Sequence, residues 1–137
     1  MKSVTFKRVV LVVSIVLIAT FLLSACNVHE PRIQESFYFN PGGPFSTNVN
    51  DEDPRRQIRC SIIFEVVDEA AIAELEEVSF IVRSSVLSVL GEITIAETTT
   101  QRDLDDIAQR IVERVNADLD ADYDLILQAF FTDFALV

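Results

Sequence analysis

The chain has 137 residues, and its 11 Lys+Arg against 22 Asp+Glu give a net charge of -11. That is room for one small domain, and with one His, two Cys and no Trp most metal and nucleophile constellations are excluded before any motif is sought. The positive mean hydropathy of +0.31 is concentrated in the first quarter, so the remainder has an ordinary soluble composition.

Lys2, Lys7 and Arg8 precede an uncharged apolar run from Val9 to Leu23. This is the order of an export signal, in which the charged end stays inside and the downstream chain goes out. Fifteen helical residues span about 22 Å, short of a bilayer core, whereas Val9 to Val28 reaches about 30 Å if Cys26 and Asn27 sit at the far edge. Two anchors are compatible with this. One is a single-pass helix. The other is lipidation, because Leu23-Ser24-Ala25-Cys26 fits a bacterial lipobox, with Cys26 as the acylated thiol. Residues 1–26 are therefore assigned to a signal or membrane anchor, 27–36 to a polar spacer, and 37–137 to an extracytoplasmic domain. Beyond residue 26 the charges are 8 Arg against all 22 acids, a balance of -14. Phosphate recognition needs clustered cations, so no nucleic-acid surface is expected.

The exported part begins with a short strand at Phe37 to Phe39, broken by Pro41-Gly42-Gly43-Pro44. An extended pattern resumes at Phe45 to Val49. After the turn Asn50-Asp51-Glu52-Asp53-Pro54, a strand runs from Gln57 to Val67. In it Ile58, Cys60, Ile62, Phe64 and Val66 alternate with Arg59, Ser61, Ile63 and Glu65. Cys60 falls on the apolar face and reads as a small buried hydrophobe.

From Asp68 the apolar spacing changes to three and four, through Ile72, Leu75, Ser79, Val82, Val86 and Leu90, predicting one long helix that Gly91 ends. Val78 to Leu90 carries a single charge, Arg83. Either this helix is buried on two sides within the domain, or part of its stripe, with Phe80, Ile81 and Leu87 as candidates, meets another subunit. Thr100 and Asp103 mark a capping-box start for a second helix with Leu104, Ile107, Ala108, Ile111, Val115 and Leu119 on one side. Asp106, Gln109, Arg110 and Glu113 form its wet face. A last strand, Leu125 to Leu136, is expected inside the sheet with Ile126, Phe130, Phe134 and Leu136 on the buried face.

No enzyme, metal or cofactor signature emerges. His29 is the one imidazole and sits in the polar spacer. Asn116, Asp118, Asp120, Asp122 and Asp124 alternate as in a calcium loop, but starting at Asp118 or Asp120 the obligatory glycine position holds Tyr123 or Leu125.

Five segments, in order, resemble the FliL family of flagellar basal-body-associated proteins. Gly43-Pro44-Phe45-Ser46-Thr47-Asn48-Val49 is similar to its Pro-Phe-x-x-Asn-Leu motif, and Arg59 to Val66 to its first long strand. Val82-Arg83 with Leu87 and Leu90 is similar to its Val-Arg-Asp helix, and Ile111 to Asn116 to its Ile-x-x-x-(Ile/Val)-Asn helix end. Phe130-Phe131-Thr132-Asp133-Phe134 is similar to its Tyr-Phe-Thr-(Glu/Asp)-Phe finish. Val49 stands where leucine is usual, and Ser84 where the family often has Asp. The resemblance implies an α+β fold: an N-terminal membrane anchor, then a small stomatin/SPFH-like domain of β-β-α-α-β order. It also implies a structural protein of the cell membrane and basal body, partnered by flagellar stator and basal-body proteins in a homo-oligomeric ring that supports torque and swimming or swarming motility. The competing expectation, from Cys26, is an acidic extracytoplasmic lipoprotein that binds or senses a ligand.

Overall fold

The computed structural model describes residues 35–53 and 55–137; the expected anchor with Cys26, the spacer up to residue 34 with His29, and Pro54 lie outside these. The fold is α+β. Three strands come first, β1 (Phe37–Phe39), β2 (Phe45–Asn48) and β3 (Gln57–Val66). Helices α1 (Glu69–Glu77), α2 (Ser79–Glu92) and α3 (Gln101–Leu119) follow, with a 3-10 turn at Ile95–Thr98 before α3, and β4 (Ile126–Leu136) is last. The β-β-α-α-β order is thus corrected to three strands, three helices and a strand.

The sheet is antiparallel and organised on β3. One edge of β3 pairs with β2 over its first half (Phe45 opposite Cys60) and with β1 over its end (Phe39 opposite Phe64), while β4 pairs along its other edge. The alternation expected for β3 holds: Ile58, Cys60, Ile62, Phe64 and Val66 are buried at 0–3% exposure. Phe39 and Phe45 join them, and the helices supply Leu75, Val82, Val86, Leu90, Ile107 and Ile111. Helices lie on one face of the sheet, the arrangement that a one-sided apolar sheet requires.

Four expectations are corrected. First, the long helix is interrupted at Val78, whose backbone leaves the helical region (φ -110°, ψ 22°). Leu75 and Val82 are both fully buried on either side of the break, so the apolar spacing ran through it unmarked. Glu76 and Glu77 sit poorly at the end of α1, but they precede the first turn of α2, whose free N–H groups favour negative charge.

Second, Gly91 does not cap α2. The helix continues through Glu92 and stops because Ile93 turns extended (φ -79°, ψ 138°), placing its side chain at 0% exposure. Its carbonyl accepts from Asn50 N–H at 2.8 Å. The stop is tertiary.

Third, β4 is an edge strand: among the described residues it pairs with β3 alone. Fourth, its buried face is not the one that strict alternation gives. Register shifts fall between Ser61/Ile62 and Glu65/Val66, where Thr132 and Leu127 are the extra residues. Each bulge moves the following side chains to the other face. The core face becomes Ile126, Ala129, Phe131, Phe134 and Leu136, opposite Val66, Phe64, Ile62, Cys60 and Ile58. Phe134 is half-buried, with Phe131 edge-on to it at 5.4 Å between ring centroids. Phe130 is 37% exposed on the opposite face, 6.5 Å from the Tyr38 ring.

Truncation of these rings should separate the two faces. Phe64→Ala, at 0% exposure, should cost about 3–5 kcal/mol in urea unfolding. Phe130→Ala should cost roughly 1 kcal/mol, the scale of one exposed aromatic pair. Equal losses would place Phe130 in the core.

Candidate functional site

Chemistry-bearing groups in this domain are used at joints between elements. The first joint fastens the β1–β2 turn to α2. Gly42 and Gly43 take positive φ (79° and 53°), a conformation with little cost only for glycine, and Gly42 N–H donates to Asn40 Oδ1 at 2.9 Å. Arg83, the one charge in the apolar half of α2, reaches this turn. Its Nη1 donates to the carbonyls of Pro41 (3.2 Å) and Gly42, and its guanidinium carbon lies 4.6 Å from the Phe45 ring centroid. A planar cation that donates at its edge while stacking on its face does what lysine cannot.

The second joint links α3 to β4. Asn116 Nδ2 donates to the Ile126 carbonyl at 2.8 Å, and Ile126 N–H donates to Asn116 Oδ1 at 3.1 Å. The side-chain amide thus pairs with the backbone as a neighbouring strand would.

The third ties α2 to α3. Ser85, 2% exposed, donates to Asp118 Oδ2 at 2.6 Å, and Arg114 Nε donates to the same oxygen at 2.9 Å. Both bonds, that from Ser85 foremost, hold the Asp118 carboxyl below its ordinary 3.8. At the start of α3 the expected capping box is present: Thr100 Oγ1 accepts from Asp103 N–H (3.2 Å) and Asp103 Oδ2 from Thr100 N–H (2.7 Å). A second box, between Thr94 and Glu97, caps the 3-10 turn.

Of the residues in the acidic alternation, Asn116 and Asp118 are therefore structural, and Asp120 ends α3 in the left-handed region (φ 49°). Burial, with a further push from Asp133, raises the Cys60 thiol to about 12, so it stays neutral and unreactive at physiological pH. Cys60 is buried and has no disulfide partner among the described residues.

Of the assembly candidates, Phe80 is 70% exposed, whereas Ile81 and Leu87 are half-buried, Leu87 packing against the core. Most of the apolar stripe of α2 is internal, with Val82, Val86, Val89 and Leu90 buried. The acidic side of α3 is wet at Asp106 and Glu113. A further feature went unread in the sequence: a groove of about 390 Å³ between α3 and β4, with Asp105, Ala108, Gln109 and Val112 on one wall and Leu127 to Phe131 on the other. Its signal is an exposed edge strand, which the sequence marks only by the absence of Pro and Lys from β4.

Two outcomes are expected of the joints. Asn116→Ala should cost about 1–3 kcal/mol, because it strips both partners from Ile126, and amide exchange at Ile126 should accelerate. The Asp118 carboxyl is depressed in the folded state, so its contribution is complete above pH 3.8 and is lost as pH falls through the folded value. The stability difference between wild type and Asp118→Asn should therefore shrink as pH falls below 3.8. A constant difference across that window would mean that the charge is immaterial.

No curated protein matches this chain. The family model described as flagellar basal body-associated protein FliL matches residues 38–136. That span takes in the four strands but for Phe37, the three helices and each of the joints, and the chain belongs to the FliL family.

Proposed function

We propose that the protein is a membrane-tethered, extracytoplasmic structural component of the flagellar basal body, with a stomatin/SPFH-like domain that assembles as a homo-oligomeric ring beside the stator and supports motor torque. The family match over residues 38–136 carries this reading; the family is a structural one of the flagellum, not an enzyme family. Lys2, Lys7 and Arg8 before the apolar run Val9 to Leu23 support a tether with the domain outside. The tether is either a single-pass helix or a lipid on Cys26. At 70% exposure on a helix whose other apolar side chains are buried or half-buried, Phe80 supports a subunit contact there, with Ile81 and Leu87 at its margin.

Deletion of the gene should abolish or slow swimming and swarming, and wild-type swimming and swarming would overturn the functional reading. Phe80→Asp should leave the thermal midpoint within about 2 °C, as surface substitutions do, while the chain no longer assembles and motility falls to the deletion level. A variant that assembles and swims normally would remove Phe80 from the interface. Intact mass decides the tether: loss of residues 1–25 with diacylglycerol on Cys26, both blocked by Cys26→Ala, identifies the lipoprotein. An unprocessed chain with a free thiol identifies the single-pass helix.

A further inference from the structure

We infer that the groove between α3 and β4 receives an extended peptide segment of another protein, which adds as a strand to β4 and carries alternating apolar and basic side chains. The backbone provides the template. Gln57 and Val137 exchange both of their backbone hydrogen bonds (2.8 and 2.9 Å), which fixes the phase of the β3–β4 ladder. Followed through the two bulges, that phase turns the N–H and C=O groups of Ile126, Ala129 and Phe131 away from β3. At Ile126 the outward groups are taken by the Asn116 amide, which shows that they point where a strand would lie. At Ala129 and Phe131 they meet no strand, since β3 alone pairs with β4 among the described residues. Edges of this length are usually blunted by proline, lysine or a covering element. Here the segment from Gln128 to Phe131 between the bulges is regular, and α3, although it packs against β4, leaves a groove of about 390 Å³ beside it.

The chemistry of the walls selects the occupant. Ala108 and Val112 supply an apolar floor. The groove continues into a second hollow that shares Gln109, Val112 and Leu127. Every charged residue along the two is acidic: Asp105 in the first, Glu113 and Asp124 in the second. Of the cations of α3, Arg110 pairs with Glu97 at 2.9 Å and Arg114 with Asp118 at 2.9 Å, while Arg102 is exposed in the first turn and lines neither hollow. Backbone pairing supplies affinity in strand addition, and the side-chain walls supply preference. An acidic groove with an apolar floor prefers alternating apolar and basic residues over about four positions.

The test is an amide NMR titration of the full chain with synthetic eight-residue peptides. A peptide alternating valine and lysine should shift the amides of Ala129 and Phe131. One alternating valine and glutamate should bind at least about tenfold more weakly. A valine–lysine peptide N-methylated at alternate residues, in the frame that faces β4, should lose about tenfold or more, because it lacks the donors. Asp105→Lys with Glu113→Lys, both exposed on α3, should reverse the charge preference without moving the thermal midpoint. Three outcomes would overturn the proposal. In one, the N-methylated peptide binds as well as the parent, which means diffuse charge attraction. In another, the shifts fall only outside α3 and β4. In the third, sedimentation shows a dimer whose β4 amides are already protected, which assigns the edge to a second copy of the chain.

Discussion

Every strand of this domain is held by β3, and the rest of the structure depends on its being buried on one face and paired on both edges. Its five inward side chains, from Ile58 to Val66, are at most 3% exposed. Ten residues with strict alternation specify register tightly, since a slip by one would carry the whole apolar set into water. β1 and β2 follow one another in the same direction along one edge of β3, and the chain from Phe39 to Phe45 has two residues more than β3 spans from Phe64 to Cys60, so it must bulge out of the edge, which Gly42 and Gly43 at positive φ allow. A turn of glycine is cheap to form and loose. Arg83 restrains it from above, coupling the sheet edge to α2.

Two of the three joints take a motif residue from the segments that resemble the FliL family, which also supply much of the core, Cys60, Phe64, Val82, Leu90 and Ile111 among it. Phe45 and Arg83 form one, and Asn116 with Ile126 another. There is a physical reason for this. Buried aliphatic positions exchange with one another at modest cost provided volume is kept. A guanidinium that stacks and donates at once, or an amide that pairs with a strand, has no substitute of the same geometry. Ser84, which departs from the family's Asp, is exposed on α2, and Val49, which departs from leucine, is a buried aliphatic exchange.

How far the fold was legible in the sequence can be argued from the same elements. The alternation in β3, the three-and-four spacing of α3 and its Thr100–Asp103 cap are local signals, and each element stands where the signal put it. The bulges at Thr132 and Leu127 have no such signal. Neither residue is a glycine, and the bulges arise because β4 must stay paired to β3 over 11 residues while its Phe131 and Phe134 both turn inward. The break at Val78 and the stop at Ile93 are likewise set by what lies across the core. The joints were visible as residue types but not as partners, because Arg83 with Pro41 and Asn116 with Ile126 are 42 and 10 positions apart. The groove is the extreme case, made from backbone that the sequence describes only as a strand.

The acidity of the domain acquires a meaning from where its few cations went. Of its arginines, Arg83 is committed to the β1–β2 turn, Arg110 to Glu97 and Arg114 to Asp118, and no lysine occurs after Lys7. These three hold elements together, while Arg55, Arg56, Arg59 and Arg102 stay exposed. The surface nonetheless carries a large excess of acid, whose field is felt over about 8 Å at physiological ionic strength. Such a field repels other acidic surfaces and steers basic ones, yet it also opposes like copies of the domain approaching one another. Apolar contact must therefore supply the attraction in any self-assembly, and Phe80 is the side chain best placed to do so. Charge is left to choose among foreign partners. On the proposed readings the two tasks fall on different elements, α2 for the first and the α3–β4 side for the second, so that neither contact would displace the other.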